Sequence, residues 1–336
     1  MNICIYGAGA IGTVLGAFLT KAGIDVDLVT RNQSHILSLK KNGAKIIGTV
    51  NFEVPVRALL PSEMKDKYDW IFLMTKQQDN DKVIDYLKTY MNEDCYICTF
   101  QNGLPEIKIA EKIGSERTFG AAVAWGATLH GNGVSELTSE KDSLTFSIGT
   151  LGKNNKEKLI ELKNILEKMG SAEIEENFIG ARWAKLLVNS AFSGMSTVLG
   201  CTFGETMRKE SRKYVQRIIQ ECIDVAKKAK IKIAPIQGKD IVKLFDYNNP
   251  LKELFGYMIL PLAIKKHKNL RASMLQDIKN NKKTEIDYIN GVICEYGKKY
   301  NVDTPYNSMV VSIVHKIENG ELTPSFENLK FFKEIK

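Results

Sequence analysis

The feature that most constrains this chain is a glycine-rich turn directly after a short apolar segment at the N-terminus. Residues 3–12 read ICIYGAGAIG, in which Gly7, Gly9 and Gly12 have the spacing G-x-G-x-x-G. The apolar segment suits a buried parallel strand, and glycines at this spacing allow a tight turn with close approach of the backbone to a pyrophosphate. A helix and a second strand follow, which completes a βαβ unit and favours dinucleotide binding over a chance glycine turn. The residues expected to contact the dinucleotide are Gly7, Ala8, Gly9, Ala10, Ile11 and Gly12.

The end of the second strand indicates which dinucleotide is bound. An NAD site usually carries Asp or Glu there, which holds the 2′-hydroxyl of the ribose. This chain has Thr30 and Arg31, whereas Asp25 and Asp27 come earlier, on the body of the strand. A guanidinium suits a 2′-phosphate, and a carboxylate would repel it. We therefore expect NADP(H), with Arg31 on the phosphate; an ordinary surface arginine is the alternative.

Length and composition point to a globular protein of two domains. The chain has 336 residues, which is too long for one compact core. No apolar segment approaches the roughly 20 residues of a membrane-spanning helix, so we expect a cytoplasmic protein without membrane contact. The net charge of +8 is spread over lysine-rich helices without interleaved aromatic residues. Solvated helix faces explain most of it better than a nucleic-acid surface does.

The cysteines and histidines do not predict a metal site. Cys95 and Cys98 have the spacing C-x-x-C, but the segment reads as a strand, in which side chains three apart point to opposite faces. No second Cys or His pair completes a zinc set, and the four histidines are isolated. We expect the six cysteines to be reduced and mostly buried.

Hydrophobic patterning predicts two domains of different class. Up to about residue 176, strands and helices alternate, which predicts a doubly wound, Rossmann-type α/β sheet with ligands at the carboxyl ends of its strands. Beyond it the pattern is helical, which predicts an all-α domain over 177–336 after a dinucleotide-binding domain over 1–176. The predicted strands are 2–6, 25–30, 45–49, 69–74, 95–99 and 118–124, with a final pair near 133–138 and 144–148. The predicted helices are 11–22, 33–41, 79–89, 105–113, 154–169, 178–199, 209–229, 237–245, 284–300 and 306–319. Pro250, Gly256 and Pro261 predict loops or short helices over 246–272.

A polar stripe interrupts the long apolar helix that opens the second domain. Lys185, Asn189 and Ser193 are four residues apart and share one helix face. A solvent-filled cavity along that face is one explanation, and a lysine that reaches the surface along its aliphatic stem is the other. The spacing does not decide between them.

A second polar cluster comes later in the helical domain. Ser273 and Asp277 are four residues apart, and Glu285 is expected to begin another helix. Thr284 and Asp287 have the spacing of a helix N-cap. Capping accounts for Thr284 and leaves Glu285 without a structural role.

In this order the motifs resemble those of the ketopantoate reductase (2-dehydropantoate 2-reductase) family over nearly the whole chain. The resemblance implies NADPH bound by a Rossmann domain, an all-α C-terminal domain like that of 6-phosphogluconate dehydrogenase, and reduction of 2-dehydropantoate to (R)-pantoate. Dehydrogenases of the 6-phosphogluconate and 3-hydroxyacid types lack this order of motifs. The matching motifs are GAGAIG at 7–12, the strand end at Arg31, TKQQD at 75–79, QNG at 101–103, RWAKLLVN at 182–189, SMLQD at 273–277 and TEIDYING at 284–291.

The resemblance also implies roles for individual residues. Lys185 matches the catalytic lysine of the family, and Glu285 matches a catalytic carboxylate that is also expected on the cofactor side. Lys76 matches a cofactor-side lysine, and Asn102 an asparagine near the nicotinamide that also faces the substrate. The substrate-binding positions are matched by Asn189, Ser193 and Ser273.

Two departures from the family pattern fall on the substrate side. Ser193 stands where the family often has a second asparagine, and Leu270 stands where an asparagine usually precedes the binding serine. They leave open whether the substrate is 2-dehydropantoate or another 2-oxo acid. A protein that binds NADP(H) without turnover is a weaker alternative, since it would need neither Lys185 nor Glu285. The sequence does not settle the oligomeric state, a homodimer included.

Overall fold

The computed structural model of the protein divides into two compact units, each with its own internal packing. The residues it describes are 1–153, 155–236, 238–247 and 249–335. The first unit comprises Met1–Gln101 and Pro105–Phe178, and the second comprises Asn102–Leu104 and Ile179–Lys336. Residues 154, 237 and 248 fall within the predicted segments 154–169, 237–245 and 246–272 and lie outside the described residues.

The first unit is built on a large, mainly parallel sheet. The strands of the unit are β1 (Ile3–Tyr6), β2 (Val26–Val29), β3 (Ala44–Gly48), β4 (Phe52–Val54), β5 (Arg57–Leu59), β6 (Tyr68–Leu73), β7 (Met91–Thr99), β8 (Thr118–Val123), β9 (Ala127–Gly131), β10 (Val134–Leu137), β11 (Thr145–Thr150) and β12 (Ser171–Ile174). The strand order of the large sheet is β12-β11-β8-β7-β6-β1-β2-β5, and β11 pairs antiparallel with β8. Its helices are α1 (Ala10–Lys21), α2 (Gln33–Asn42), α3 (Asn80–Leu87), α4 (Pro105–Ile113) and α5 (Lys156–Leu166). The expected Rossmann-type class is confirmed.

A second sheet, of order β4-β3-β10-β9, packs on helix α1. The final two predicted strands, at 133–138 and 144–148, are confirmed as β10 and β11, and they belong to different sheets. Strands β4, β5, β9 and β12 were not predicted. β4 and β5 have three residues each, too few to show an alternating pattern.

Alternate residues of the parallel strands enter separate apolar layers on the two faces of the large sheet. Cys98 lies in one layer with Phe72, and Cys95 lies in the other with Ile71. The prediction for the C-x-x-C pair is therefore confirmed. All six cysteines, which lie within the described residues, are free thiols, and burial raises the pKa of Cys95 to about 12.

In the described residues of the second unit the regular secondary structure is helical, apart from one isolated bridge between Ile236 and Lys239. The helical segments from Phe178 to Leu199 follow one another without a break, and we call them the rod. The rod packs against the helices Lys209–Lys228, Asn290–Tyr300 and Pro305–Glu318. Among the described helices, none combines the length and apolar content needed to cross a membrane. The helices are α6 (Phe178–Val188), α7 (Met195–Leu199), α8 (Lys209–Lys228), α9 (Ile241–Phe245), α10 (Pro250–Ala263), α11 (Ser273–Lys279), α12 (Asn290–Tyr300), α13 (Pro305–Glu318) and α14 (Leu329–Phe332).

The prediction of loops or short helices over 246–272 is wrong for α10, which runs for 14 residues. Pro250 occupies the first turn, where its missing N–H costs nothing, and the Asn249 side chain caps that turn. A Cβ at Gly256 would lie 2.1 Å from the Tyr247 ring, so the close packing of this ring on α10 requires glycine. Pro261 lies only two residues before the helix ends at Ala263.

Candidate active site

The three glycines of the N-terminal turn meet different surroundings. A Cβ on Gly7 would lie 2.5 Å from the Met74 carbonyl carbon, and Gly7 has φ +116°. A Cβ on Gly12 would lie 2.6 Å from the Gly7 carbonyl oxygen, whereas on Gly9 the nearest atom, that same oxygen, would be 4.0 Å away. Gly7 and Gly12 therefore serve the packing of the chain itself. Gly9 leaves open space beside the turn, in which a ligand can approach the backbone.

The start of helix α1 is prepared for an anion. The Gly7 and Ala8 N–H groups both donate to the Val29 carbonyl at 2.9 Å, which fixes the turn against β2. Gly9 is the N-cap and has no side chain to cap the helix. The first N–H groups of the helix, from Ala10 onward, have no acceptor within the helix. Open space and unpaired helix donors fit the pyrophosphate of a dinucleotide.

The turn lies at the edge of the sheet where a crevice is expected. β1 pairs with β2 on one side and with β6 on the other, all parallel, so the connections after β1 and β6 leave in different directions. Lys76 is half-buried after the carboxyl end of β6, where it precedes a short 3₁₀ turn at Gln77–Asp79. Arg31 follows the carboxyl end of β2, at the same edge.

The Arg31 side chain is largely exposed to solvent just after the carboxyl end of β2. Its side chain is 75% exposed, and its Nη2 donates to the Asp79 carboxylate at 2.9 Å. Asp27, in contrast, is fully buried on the strand, where it accepts from Tyr68 Oη at 2.6 Å and pairs with Arg57. The Asp27 carboxylate therefore has a structural role within the first unit.

Sequence analysis missed a buried amide pair that holds two of the site loops. The Asn80 and Gln101 side chains exchange hydrogen bonds of 2.9 and 2.7 Å. Gln101 also donates to the Thr75 carbonyl at 2.6 Å and accepts from the Thr99 hydroxyl at 3.1 Å. The pair thus ties the loop after β6, which carries Lys76, to the loop after β7. The available signal was the presence of amide side chains after both strands.

In the second unit, the polar stripe lies on the accessible face of an otherwise buried rod. Between residues 181 and 199, only Ala181, Lys185, Val188, Asn189 and Ser193 are partly exposed. The rod is not one α-helix, because Asn189–Gly194 forms a π-helical segment between α6 and α7. Such segments occur often at functional sites, and this one contains two of the three stripe residues.

A second missed residue, Asn290, supports the π-helical segment. Its Nδ2 donates to the Ser190 carbonyl at 3.1 Å and to Asn307 Oδ1 at 2.9 Å. Asn307 in turn donates through Nδ2 to Glu221 at 2.7 Å. Burial raises the pKa of Glu221 to about 7. A Cβ on Gly194 would lie 2.6 Å from the Asn290 side chain, so the rod and Asn290 fit closely.

Glu285 does not begin an α-helix, contrary to expectation. It precedes a 3₁₀ turn at Ile286–Tyr288, and α12 begins only at Asn290. The Thr284 hydroxyl accepts the Ile286 N–H at 3.2 Å, so Thr284 caps the start of this 3₁₀ turn. Glu285 is half-buried, and Asn102 Nδ2 donates to its carboxylate at 3.5 Å, at the limit for a hydrogen bond. The structure thus brings Asn102 and Glu285 together, 183 residues apart in sequence.

Ser273 is exposed at the start of α11. The preceding Ala272 N–H donates to Ser196 Oγ on α7 at 3.3 Å, which links this segment to the rod. The Leu270 carbonyl accepts the Phe203 N–H at 2.8 Å, while its side chain is 51% exposed. Among the described residues, no cluster of three or more His, Cys, Asp or Glu is arranged to hold a metal ion.

Comparison with known proteins identifies the family. A family model described as ketopantoate reductase PanE/ApbA matches residues 3–150, and its C-terminal counterpart matches residues 177–318. A 2-dehydropantoate 2-reductase from Pyrococcus horikoshii is 34% identical over 321 residues, covering 95% of this chain and 98% of that protein. The chain belongs to the ketopantoate reductase family. The 2-dehydropantoate 2-reductase of Lactococcus lactis is 31% identical over the same shares of each chain, so the resemblance found in the motifs is confirmed.

One solved structure similar to this ketopantoate reductase family member carries a different name. It is a D-mandelate dehydrogenase with NADH and anilino(oxo)acetate, with a TM-score of 0.81 and 28% identity. The match covers 95% of this chain and 99% of that one.

Proposed function

We propose that this protein reduces 2-dehydropantoate to (R)-pantoate with NADPH, a step in the formation of pantothenate and coenzyme A. The observation that carries the proposal is the accessible stripe of Lys185, Asn189 and Ser193 on a rod whose other side chains between residues 181 and 199 are buried, apart from Ala181 and Val188. A partly exposed ammonium on this face can stabilise the negative charge that develops on a carbonyl oxygen during reduction.

Bound NADPH supplies the hydride that adds to the 2-oxo carbon. The ammonium of Lys185 stabilises the negative charge that develops on the oxygen and donates the proton that completes the hydroxyl. Glu285 holds that ammonium and accepts a hydrogen bond from the substrate hydroxyl, and Asn102 orients Glu285. The remaining neutral side chains bind the carboxylate and hydroxyl ends of the substrate; they are Asn189, Ser193 and Ser273.

The contacts to the phosphates of the cofactor come from the first unit, whereas Asn102 and Glu285 of the second unit lie on the nicotinamide side. The turn from Gly7 to Gly12 and the start of α1 bind the pyrophosphate, and Lys76 adds a positive charge at the end of β6. Arg31 binds the 2′-phosphate that distinguishes NADPH from NADH, and it exchanges its bond to Asp79 for that contact. An exposed ion pair such as Arg31–Asp79 stabilises a protein by only about 0–1 kcal/mol, so breaking it to bind the phosphate costs little free energy.

A second candidate function is reduction of a different 2-oxo acid on the same scaffold. Two observations favour it: Ser193 and Leu270 replace expected asparagines, and the D-mandelate dehydrogenase is similar over nearly the whole chain. Both replacements remove amide donors from the substrate side. They leave the roles of Lys185 and Glu285 unchanged.

The test is NADPH oxidation followed at 340 nm, a wavelength set by the cofactor, with a panel of 2-oxo acids. The panel contains 2-dehydropantoate, 2-oxoisovalerate and phenylglyoxylate. The proposal expects kcat/KM for 2-dehydropantoate to exceed the others by at least about 100-fold, since buried polar contacts discriminate at this level. A preference for phenylglyoxylate establishes the second candidate. Binding of NADPH without turnover of any 2-oxo acid refutes both.

We also propose that the enzyme acts in the cytoplasm, on a small-molecule substrate, as a homodimer. Six free thiols fit a reducing compartment.

A further inference from the structure

His315 lies near the end of α13 with a carboxylate on each side of its ring. Its Nε2 is 2.9 Å from Asp287 Oδ1, and its Nδ1 is 3.0 Å from Glu318 Oε2. The His315 side chain is partly exposed, whereas that of Glu318 is buried. Both ring nitrogens are engaged by carboxylates, so the three side chains form an ion-pair network rather than a metal site. We call this group the His315 clamp: Asp287, His315 and Glu318.

One arm of the His315 clamp holds the residue directly before Glu285. The Thr284 N–H donates to Glu318 Oε1 at 2.7 Å. Burial alone would raise the pKa of the Glu318 carboxyl, but hydrogen bonds from Thr284 and His315 lower it. Glu318 is therefore ionised at neutral pH, and a charged acceptor makes its bond to the Thr284 backbone a strong one.

The other arm of the His315 clamp holds the segment just after Glu285. Asp287 lies two residues beyond Glu285, within the 3₁₀ turn at Ile286–Tyr288. The Tyr288 N–H donates to the Glu285 carbonyl at 3.0 Å, and Ile286 is fully buried. The backbone on both sides of Glu285 is thus tied to a single imidazole on α13.

The two arms depend on the proton that His315 carries. A protonated imidazole donates from both nitrogens, whereas the neutral ring has one N–H and leaves one carboxylate without a donor. Burial lowers the pKa of His315, but hydrogen bonds to Glu318 and Asp287 outweigh burial and raise it. His315 also lies in the last turn of α13, where the helix dipole favours a cation. Both bonds are therefore present at low pH, and one is lost as the pH rises through the titration of His315.

Among the described residues, the charges that shift the pKa of His315 are those of Glu318 and Asp287. The parts of the rod that contact α13, Asn189–Gly194 and Met195–Leu199, contain no charged side chain. On α8, Glu221 accepts backbone N–H groups in the first turn of α13, at the opposite end from His315. The other charged side chains of α12, α13 and α14 are exposed: Glu295, Lys298, Lys299, Lys316 and Lys330.

We propose that His315 is a positioning residue for the reduction: through Glu318 and Asp287 it holds Glu285 in place for the substrate, and it does so only when its ring carries both protons. The proposal rests on the role of Glu285 in the proposed function. His315 acts through Glu285 and transfers no proton itself. Turnover therefore declines as the pH rises through the titration of His315.

The test is the pH profile of kcat/KM from about pH 6 to about pH 9, the range in which histidine titrates, with the 2-oxo acid that the wild type turns over best. His315→Gln keeps a polar side chain but carries no charge. His315→Arg carries a charge that does not titrate in this range and can donate to both carboxylates. His130→Gln is the matched control, because His130 pairs with Glu136 at 2.8 Å and is 47% exposed, against 42% for His315.

Two further measurements accompany the profiles. An NMR titration of the wild type gives the midpoint of His315 directly, and thermal unfolding gives the stability of each variant. We expect His315 to titrate above about 6.5, the ordinary pKa of histidine, and wild-type kcat/KM to fall about 10-fold or more through that midpoint, since small displacements of a reacting group have large effects on rate. His315→Gln should show the lower value at every pH, and His315→Arg should keep the higher value throughout. His130→Gln should follow the wild type.

A His315→Gln profile that keeps the wild-type step overturns the proposal, and so does a His315 midpoint at or below about 6.5. If His315→Gln lowers Tm yet leaves kcat/KM within about twofold of the wild type, the His315 clamp serves stability alone. Each of these results leaves the proposed function standing. A wild type that turns over no 2-oxo acid refutes the proposed function, and the catalytic part of the His315 clamp with it.

Discussion

Replacing Gly9 by alanine tests whether the open space beside the N-terminal turn belongs to a dinucleotide. The new methyl group would lie 4.0 Å from its nearest neighbour in the chain, so it causes no clash in the free protein. Gly9 has φ −84°, which an L-residue adopts readily. Alanine is a poorer N-cap than glycine by about 0.5–1 kcal/mol, which lowers Tm by only about 2–4 °C.

The same methyl group fills the space through which a pyrophosphate approaches the backbone. Loss of one charge-assisted hydrogen bond to the phosphate weakens binding by about 1.5–3 kcal/mol, or roughly 10- to 150-fold in Kd. Isothermal titration calorimetry with NADPH measures this loss. Thermal unfolding followed by circular dichroism measures stability in parallel.

Gly12→Ala is the matched control, because it should show the opposite pattern. Its Cβ would lie 2.6 Å from the Gly7 carbonyl oxygen, and overpacking of this kind costs about 1–3 kcal/mol. We expect Gly12→Ala to lose more stability than Gly9→Ala does. If Gly9→Ala binds NADPH within threefold of the wild type, or is as unstable as Gly12→Ala, the space at Gly9 is not the phosphate site.

Four further outcomes are expected. Arg31→Ala should weaken NADPH binding by about 1.5–3 kcal/mol and leave NADH within a few-fold, as measured by calorimetry; an equal loss for both cofactors would remove Arg31 from the 2′-phosphate. Lys185→Ala should lower kcat by about 100-fold or more with little change in NADPH affinity, and Glu285→Ala should raise KM and lower kcat. In the double variant the two losses of activity should not add; full additivity would show that the two residues act separately. Burial lowers the pKa of His35, so His35 stays neutral in the folded protein at pH values where the unfolded chain binds a proton. Thermal stability should therefore fall as the pH drops below about 6.5, the ordinary pKa of histidine. An NMR titration midpoint for His35 at or above that value would contradict this. Asn290→Ala should destabilise the protein by about 1–3 kcal/mol and raise KM for the 2-oxo acid more than for NADPH, whereas an equal rise in both would make Asn290 purely structural.

The sequence was sufficient for elements whose pattern is local. β1, the glycine turn and α1 form one continuous signal, and Lys185, Asn189 and Ser193 were recognised as sharing a helix face because helical spacing alone brings them together. Glu285 was recognised only through its motif. The α-helix expected to begin there starts five residues later, at Asn290.

What the sequence did not predict depends on contacts between distant residues. Helix α10 contains a glycine and an internal proline, which oppose helix formation locally, and packing of Gly256 on Tyr247 outweighs that tendency. The π-helical segment of the rod has no local signature. Its carbonyl at Ser190 is satisfied by Asn290, 100 residues away, and the buried pair of Asn80 and Gln101 is likewise visible only after folding.

The second sheet has a consequence for how the protein acquires its cofactor site. Helix α1 packs against β3 and β10 of that sheet as well as against β1 and β2. β3 and β10 pair directly, although residues 49–133 separate them along the chain, and closing so long a loop is entropically costly and slow. Much of the helical unit can therefore form before α1 is enclosed on both sides. In a refolding experiment, ellipticity at 222 nm should recover ahead of the ability to bind NADPH.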